Sequence, residues 1–451
     1  MTAPSTAPPP RTRPGLLRAT LMLIAGGAFA QALPLLLGPL LTRLYSPQEY
    51  GAFHLFAAIA TNLAVVACAR YEFALPLARS GAEASALRRL CLRVLLIVSA
   101  LTSLGGVAWA WSSELPWALW LGPAVAAGGS VSLATMWATR QERFPQLAWA
   151  RVLQYGGSAG LQVLAGWLHV GVSGLVIAPI AAQAAAAALL ARLPGPTSAS
   201  ESARPATGDS SATTPLPSAT AADPANQQAP RLREIAHRYR EFPLLNTPHA
   251  FLGALQDTVS IALIAATLGP AAAGFWGLAL RYLKAPATLV GSAVSQALYP
   301  KLAEAGPGAT PAARQAVRRV MAMLALLAAP LTIGLWLLGP WLFEQLFGAE
   351  WREAGLLARA LAVYIGTHFI AAPLAVVTMA WGAQAWALRL ALVGQLAFVV
   401  ALAAGLHWGG LAGAGWAVSL AMAGYFGWYF WRLAHWPLQA PHPADTEGQP
   451  S

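Results

Sequence analysis

Charge is what this sequence has least of. Only 10% of its 451 residues are Asp, Glu, Lys or Arg, against 57% hydrophobic, whereas soluble domains carry roughly 25% charged residues. A water-soluble globule of that make-up would expose large apolar patches and aggregate. Cysteine is nearly absent too. Cys68 and Cys91 are the only two, so no disulfide framework is implied. There is no G-x-x-x-x-G-K-S/T run, which excludes a P-loop nucleotidase, and no Cys/His cluster has zinc spacing. No cofactor is expected, and no motif points to an enzyme.

Long apolar runs take the place of charge. Segments of bilayer-spanning length fall near 16–42, 51–77, 90–111, 116–138, 147–168 and 172–191, and again near 242–268, 271–299, 318–339, 355–380, 384–406 and 411–433. About 20 residues suffice for each crossing. The expected class is all-α: a polytopic membrane protein with about twelve transmembrane helices. The opening stretch mimics a secretory signal, with a basic start and an Ala28-Phe29-Ala30 site. Its apolar run continues to Leu41, too long for a signal core, so it reads as the first span.

Residues 193–240 are rich in Pro, Ala, Ser and Thr with almost no large apolar side chains. Such a stretch cannot bury enough surface to fold and reads as a disordered linker. The expected organisation is a six-helix lobe over 1–192, the linker over 193–240, a second six-helix lobe over 241–436, and a tail over 437–451. Pro47-x3-Gly51-x3-Leu55 and Pro270-x3-Gly274-x3-Leu278 occupy corresponding places in the two halves. They read as the trace of a parallel repeat, the alternative being chance Pro/Gly punctuation.

The formal net charge is +11, yet the basic residues lie between apolar runs, not in one patch, so no nucleic-acid partner is expected. Their distribution orients the chain. With the N-terminus inside, alternate loops collect Arg70, Arg79, Arg88, Arg89, Arg93, Arg140, Arg143, Arg151, Lys301, Arg314, Arg318, Arg319, Arg389 and Arg432. The other loops hold only Arg43, Arg352 and Arg359. Both termini are thus expected in the cytoplasm.

Three stretches resemble a known family. They are "PLLTRLYSPQEYGAFHLF" with the following "RYEFALPL", "ALRYLKAPATLVGSAVSQALYPKLAE", and "LFGAEWREAGLLARALA". In order and spacing they are similar to the polysaccharide flippases (oligosaccharide-lipid translocases) of the MATE-like exporter superfamily. The resemblance implies two six-helix lobes in the bacterial inner membrane. It also implies transfer of an undecaprenyl-pyrophosphate-linked oligosaccharide to the periplasmic leaflet, for O-antigen, lipopolysaccharide or capsule assembly. Partners would be the lipid-linked oligosaccharide, membrane lipids, a coupling ion (proton or sodium) and polysaccharide-assembly proteins. The rival readings are an ion-coupled drug exporter and a membrane polysaccharide polymerase or ligase.

The candidate site residues are the charges that break this apolar background. Arg281 and Lys284 stand three apart in an apolar run, and Lys284 is one of two lysines in the chain. Each costs about 2.5–3.5 kcal/mol at mid-bilayer unless it faces a cavity or a partner. Both suit an anionic headgroup, with Arg70 at the inner mouth and Gln296 on the same helix as further candidates. Asp257 is expected at the depth of Arg281 on the neighbouring helix, either paired with it or acting as a relay for the coupling ion.

Overall fold

The computed structural model describes residues 29–192, 232–304 and 309–438. Most of the expected linker, the start of the first span and the tail beyond residue 438 lie outside the described residues. Within them the chain is helical, with one isolated bridge between Ala309 and Leu438. Seven helices are individually long and apolar enough to cross a membrane. The longest, Gln384–Ala434, has 51 residues and is broken where Gly409 and Gly410 leave helical geometry, with φ of +58° at Gly410. Only glycine takes that conformation freely, so the helix makes two crossings. Shorter, charged or interrupted helices supply the others.

The helices in chain order are α1 (Phe29–Leu44), α2 (Pro47–Val65), α3 (Gly81–Ser113), α4 (Leu121–Arg140), α5 (Phe144–Val152), α6 (Ser158–Trp167) and α7 (Val172–Arg192). A π turn, Leu153–Gly157, joins α5 to α6 within one crossing. Then come α8 (Leu232–Arg238), α9 (Thr247–Leu268), α10 (Pro270–Glu304), α11 (Pro311–Phe347), α12 (Arg352–Ala360), α13 (Ala362–Ala380) and α14 (Gln384–Ala434). They form two compact units. Among the described residues the first takes 29–34, 60–161, 177–192 and 232–251, the second 35–59, 162–176, 252–304 and 309–438.

In the first unit α3 starts on a reciprocal cap. Ser80 Oγ accepts from the Glu83 N–H at 3.1 Å, and Glu83 Oε2 accepts from the Arg79 N–H at 2.8 Å. Such caps satisfy the orphan donors of a helix start. Ahead of it, α2 does not run on. Ala69 and Arg70 both take positive φ, 49° and 60°, a costly conformation for residues with a side chain. The chain then continues as the 3-10 segment Tyr71–Leu77. Leu75, Leu87, Cys91, Leu95, Val125 and Leu133 pack into one core around this break. Cys68 and Cys91 are buried as free thiols.

The last residues of the expected linker belong to that core. Helix α8 buries Ile235 in it, and Tyr71 Oη donates to the Ala236 carbonyl at 3.3 Å. Arg238 and Tyr239 both reach Glu83 Oε1, at 2.6 and 3.2 Å, and the first bond holds the Arg238 guanidinium above its ordinary range. The apolar spacing of a seven-residue helix is too short to stand out in so polar a neighbourhood, so 232–240 read as linker.

Glu83 therefore serves both the α3 cap and the docked α8. Glu83→Ala is expected to free the α8 segment, with cleavage by trypsin after Arg233 and Arg238 appearing at least several-fold faster than in the wild type. Unchanged cleavage would mean that the packing of Ile235 and the Tyr71 hydrogen bond hold α8 without Glu83.

The second unit shows what the repeated Pro-x3-Gly does. A capping box starts α2, with Ser46 and Glu49 exchanging side-chain to backbone hydrogen bonds at 2.9 and 3.3 Å. From there α2 crosses the start of α10. A Cβ on Gly51 would lie 1.7 Å from the Pro270 carbonyl oxygen, and one on Gly274 2.1 Å from that of Pro47. The two repeats thus pack on each other, each glycine admitting the partner's backbone. Beside the crossing Trp351 is fully buried and donates its indole N–H to the Thr42 carbonyl at 3.0 Å. Tyr282 Oη donates to Leu35 at 2.7 Å.

Candidate functional site

A cavity of about 410 Å³ opens among α9, α10, α13 and both halves of α14 in the second unit. Lys284 and Asp257 line it. Lys284 is the fifteenth residue of α10, ~21 Å along the helix at 1.5 Å per residue, which is deep within a core ~30 Å thick. Its Nζ lies 3.8 Å from Asp257 Oδ1, with the Tyr364 phenol beside it. The Lys284 side chain is 28% exposed and that of Asp257 66%, so the carboxylate is the more open partner.

Small residues make the room. Ala371, Ala372 and Ala375 present one face of α13 to the cavity, and the Ser295 hydroxyl donates to the Pro373 carbonyl at 3.1 Å, fixing α10 against α13. Aromatic rings supply the walls. Trp386 and Tyr429 stack at 6.1 Å with 19° between planes, and Tyr364 lies 5.7 Å from the His368 ring. Gln256 and Gln395 add amides. Paired ring faces with amides, phenols and one ion pair can bind a polyol or a phosphate, apolar surface meeting ring faces and polar groups fixing orientation.

The expected site residues fall into separate places. Asp257 meets Lys284, not Arg281, a correction of about one helical turn in depth. Arg281 is not among the residues lining the cavity; its charge falls on Tyr50 and His54 of α2. The rotation of α10 about its axis, set by the Gly274 crossing, decides which of the two cations faces α9. Arg70 sits in the first unit at the break after α2, its guanidinium 4.3 Å over the Phe73 ring. Gln296 is exposed on α10, outside the cavity lining. Tyr364, Tyr425, Tyr429 and Trp386 escaped the sequence reading, since aromatics on apolar helices read as packing or interfacial anchors. His368 and Gln395 are polar residues within apolar runs of the sequence, a faint signal beside full charges. No group of three metal-ligating side chains occurs among the described residues.

The fold has solved counterparts. Lipid II flippase MurJ, in an inward closed conformation, superposes with a TM-score of 0.64 at 11% identity, covering 92% of this chain and 89% of that one. A multidrug resistance MATE family transporter in an inward-facing conformation gives 0.59 at 13% identity, covering 92% and 94%. The Vibrio cholerae MATE transporter VcmN gives 0.54 at 16% identity, covering 93% and 95%. No curated protein sequence matches the chain. Residues 228–355, from α8 to the start of α12, match the family described as "Polysaccharide biosynthesis protein". The chain is a multi-pass membrane protein with the fold of the MATE-like transporters and flippases, and its residues 228–355 match the polysaccharide biosynthesis family.

Proposed function

We propose that the protein is a flippase that carries an undecaprenyl-pyrophosphate-linked oligosaccharide from the cytoplasmic to the periplasmic leaflet of the bacterial inner membrane. It does so by alternating access, during O-antigen or capsule assembly, with both termini in the cytoplasm and a coupling ion driving the cycle. The observation that carries this reading is Lys284. It is a cation deep among apolar helices, in a cavity walled by stacked aromatics and amides, on a segment that matches polysaccharide biosynthesis proteins. Ring faces suit sugars, and a lysine suits a pyrophosphate as a point charge.

Asp257 favours a second reading, an exporter of cationic drugs, because its carboxylate is the more exposed member of the pair. With Lys284 beside it, however, the cavity carries one charge of each sign. The two readings separate in cells lacking the gene. Lipid-linked oligosaccharide should accumulate in the inner leaflet and clear on expression of the wild type, with drug susceptibility unchanged. Equal leaflet distributions in the deletion strain would refute the flippase, and altered drug susceptibility would install the exporter.

A further inference from the structure

A second groove, of about 600 Å³, runs along the first unit between α1, the α5 crossing and α7. Leu33, Trp149, Leu153, Gly156, Leu189 and Gln146 line it. On the α5 crossing these residues recur every three or four positions and form one helical stripe. The adjoining face of α5, with Leu147 and Ala150, is buried against α4 and α7. The π turn Leu153–Gly157 brings Gly156 onto the stripe, and such turns inside helices recur at functional sites. A Cβ there would sit 2.7 Å from Leu33 Cδ1, so the glycine is what leaves this part of the groove open.

The groove is apolar along its length and polar at one end. Gln146 Oε1 is buried there without a hydrogen-bond partner, an acceptor that only a donor can satisfy. Arg143 precedes Gln146 by three residues and Arg192 follows Leu189 by three on the antiparallel α7. Both arginines therefore lie at that same end, beyond the lining residues. On the orientation read from the loop arginines, this end is at the cytoplasmic interface.

An apolar slot inside a membrane protein, ending at two arginines, complements an anionic lipid. A slot one stripe wide takes one chain, where a diacyl phospholipid has two. We infer that this groove seats the polyprenyl chain of the lipid-linked substrate, with its phosphate end at Arg143 and Arg192. The inference rests on the flippase reading and assigns the lipid half of the substrate to a site apart from the Lys284 cavity.

The test uses purified full-length protein in nanodiscs and a diazirine-bearing polyprenyl phosphate with no sugar attached. Labelling is expected on peptides carrying Trp149 and Leu153, and unlabelled polyprenyl phosphate should compete while phosphatidylglycerol at the same concentration does not. Gly156→Leu, which fills the groove, should lower labelling by about tenfold, the equivalent of 1.4 kcal/mol. Arg143→Gln/Arg192→Gln should weaken the phosphate probe while leaving labelling by a diazirine polyprenol unchanged. Equal competition by phosphatidylglycerol would make this a site for bulk lipid and overturn the inference. So would labelling insensitive to Gly156→Leu, or to Leu189→Trp from the opposite wall if the first variant fails to fold. Because the probe carries no sugar and nothing is transported, a negative result here leaves the leaflet experiment intact. A failed leaflet experiment would be recognised independently of probe binding.

Discussion

Gly274→Ala is expected to destabilise the protein by about 2–3 kcal/mol, the upper part of the range for forced overpacking. The added Cβ would stand 2.1 Å from the Pro47 carbonyl oxygen and 3.0 Å from the Gly51 nitrogen. These are backbone atoms, which cannot swing aside as a side-chain tip does, so α2 and α10 must separate. Separation costs the neighbouring contacts as well, including the Trp351 hydrogen bond to Thr42 and the edge-on packing of Trp351 with Tyr50 at 5.2 Å. Gly51→Ala should behave alike, with the Pro270 carbonyl oxygen only 1.7 Å away. The double variant should cost less than the sum, because one separation accommodates both methyl groups. Gly334→Ala on α11 is the control. A Cβ there meets nothing within 4 Å, and alanine in a helix is worth up to about 1 kcal/mol over glycine. Thermal unfolding of the purified variants decides the matter. A Gly274→Ala protein as stable as Gly334→Ala would show that the helices do not cross at this point.

Lys284→Met should lower transport by at least about tenfold, whereas Arg281→Met should have the smaller effect, since Arg281 does not line the cavity. Removing one member of a buried ion pair usually costs about 3–5 kcal/mol through the charge left behind, but Asp257 is 66% exposed and its charge stays partly solvated. The larger share of the loss is therefore expected in function, not in stability. A double-variant cycle separates the two contributions. Lys284→Met/Asp257→Asn removes the orphaned charge and should restore protein level. If Lys284 holds the substrate's anionic group, transport stays low in the double variant. Recovery of transport together with protein level would reduce the pair to a packing device.

Much of the architecture was legible in the chain itself. Apolar run length and arginine placement gave the membrane class and the crossings, and the break at Gly409–Gly410 falls between two spans expected at 384–406 and 411–433. The Pro-x3-Gly repeat was visible as a match of three residues, with nothing to say that its two copies touch. In the candidate site the sequence exposed Lys284 and Asp257, since charge in an apolar run is conspicuous whatever surrounds it. It hid Tyr364, Trp386 and Tyr429, because an aromatic residue on an apolar helix has the same local signature whether it faces lipid, a neighbouring helix or a cavity.

The sequence by itself determined the solvent, the number of crossings expected and the positions of the few charges, all of which follow from local hydrophobicity against a bilayer of fixed thickness. Tertiary structure alone decided how each helix is turned about its axis. That rotation is set by close contacts between residues far apart in the chain, such as Gly51 with Gly274. A turn of α10 by less than one residue's angle, with a shift of about one turn along its axis, separates an Asp257–Arg281 pair from the Asp257–Lys284 pair observed. The cavity draws on residues from Gly253 to Tyr429, and no periodicity along one segment encodes a meeting of four helices.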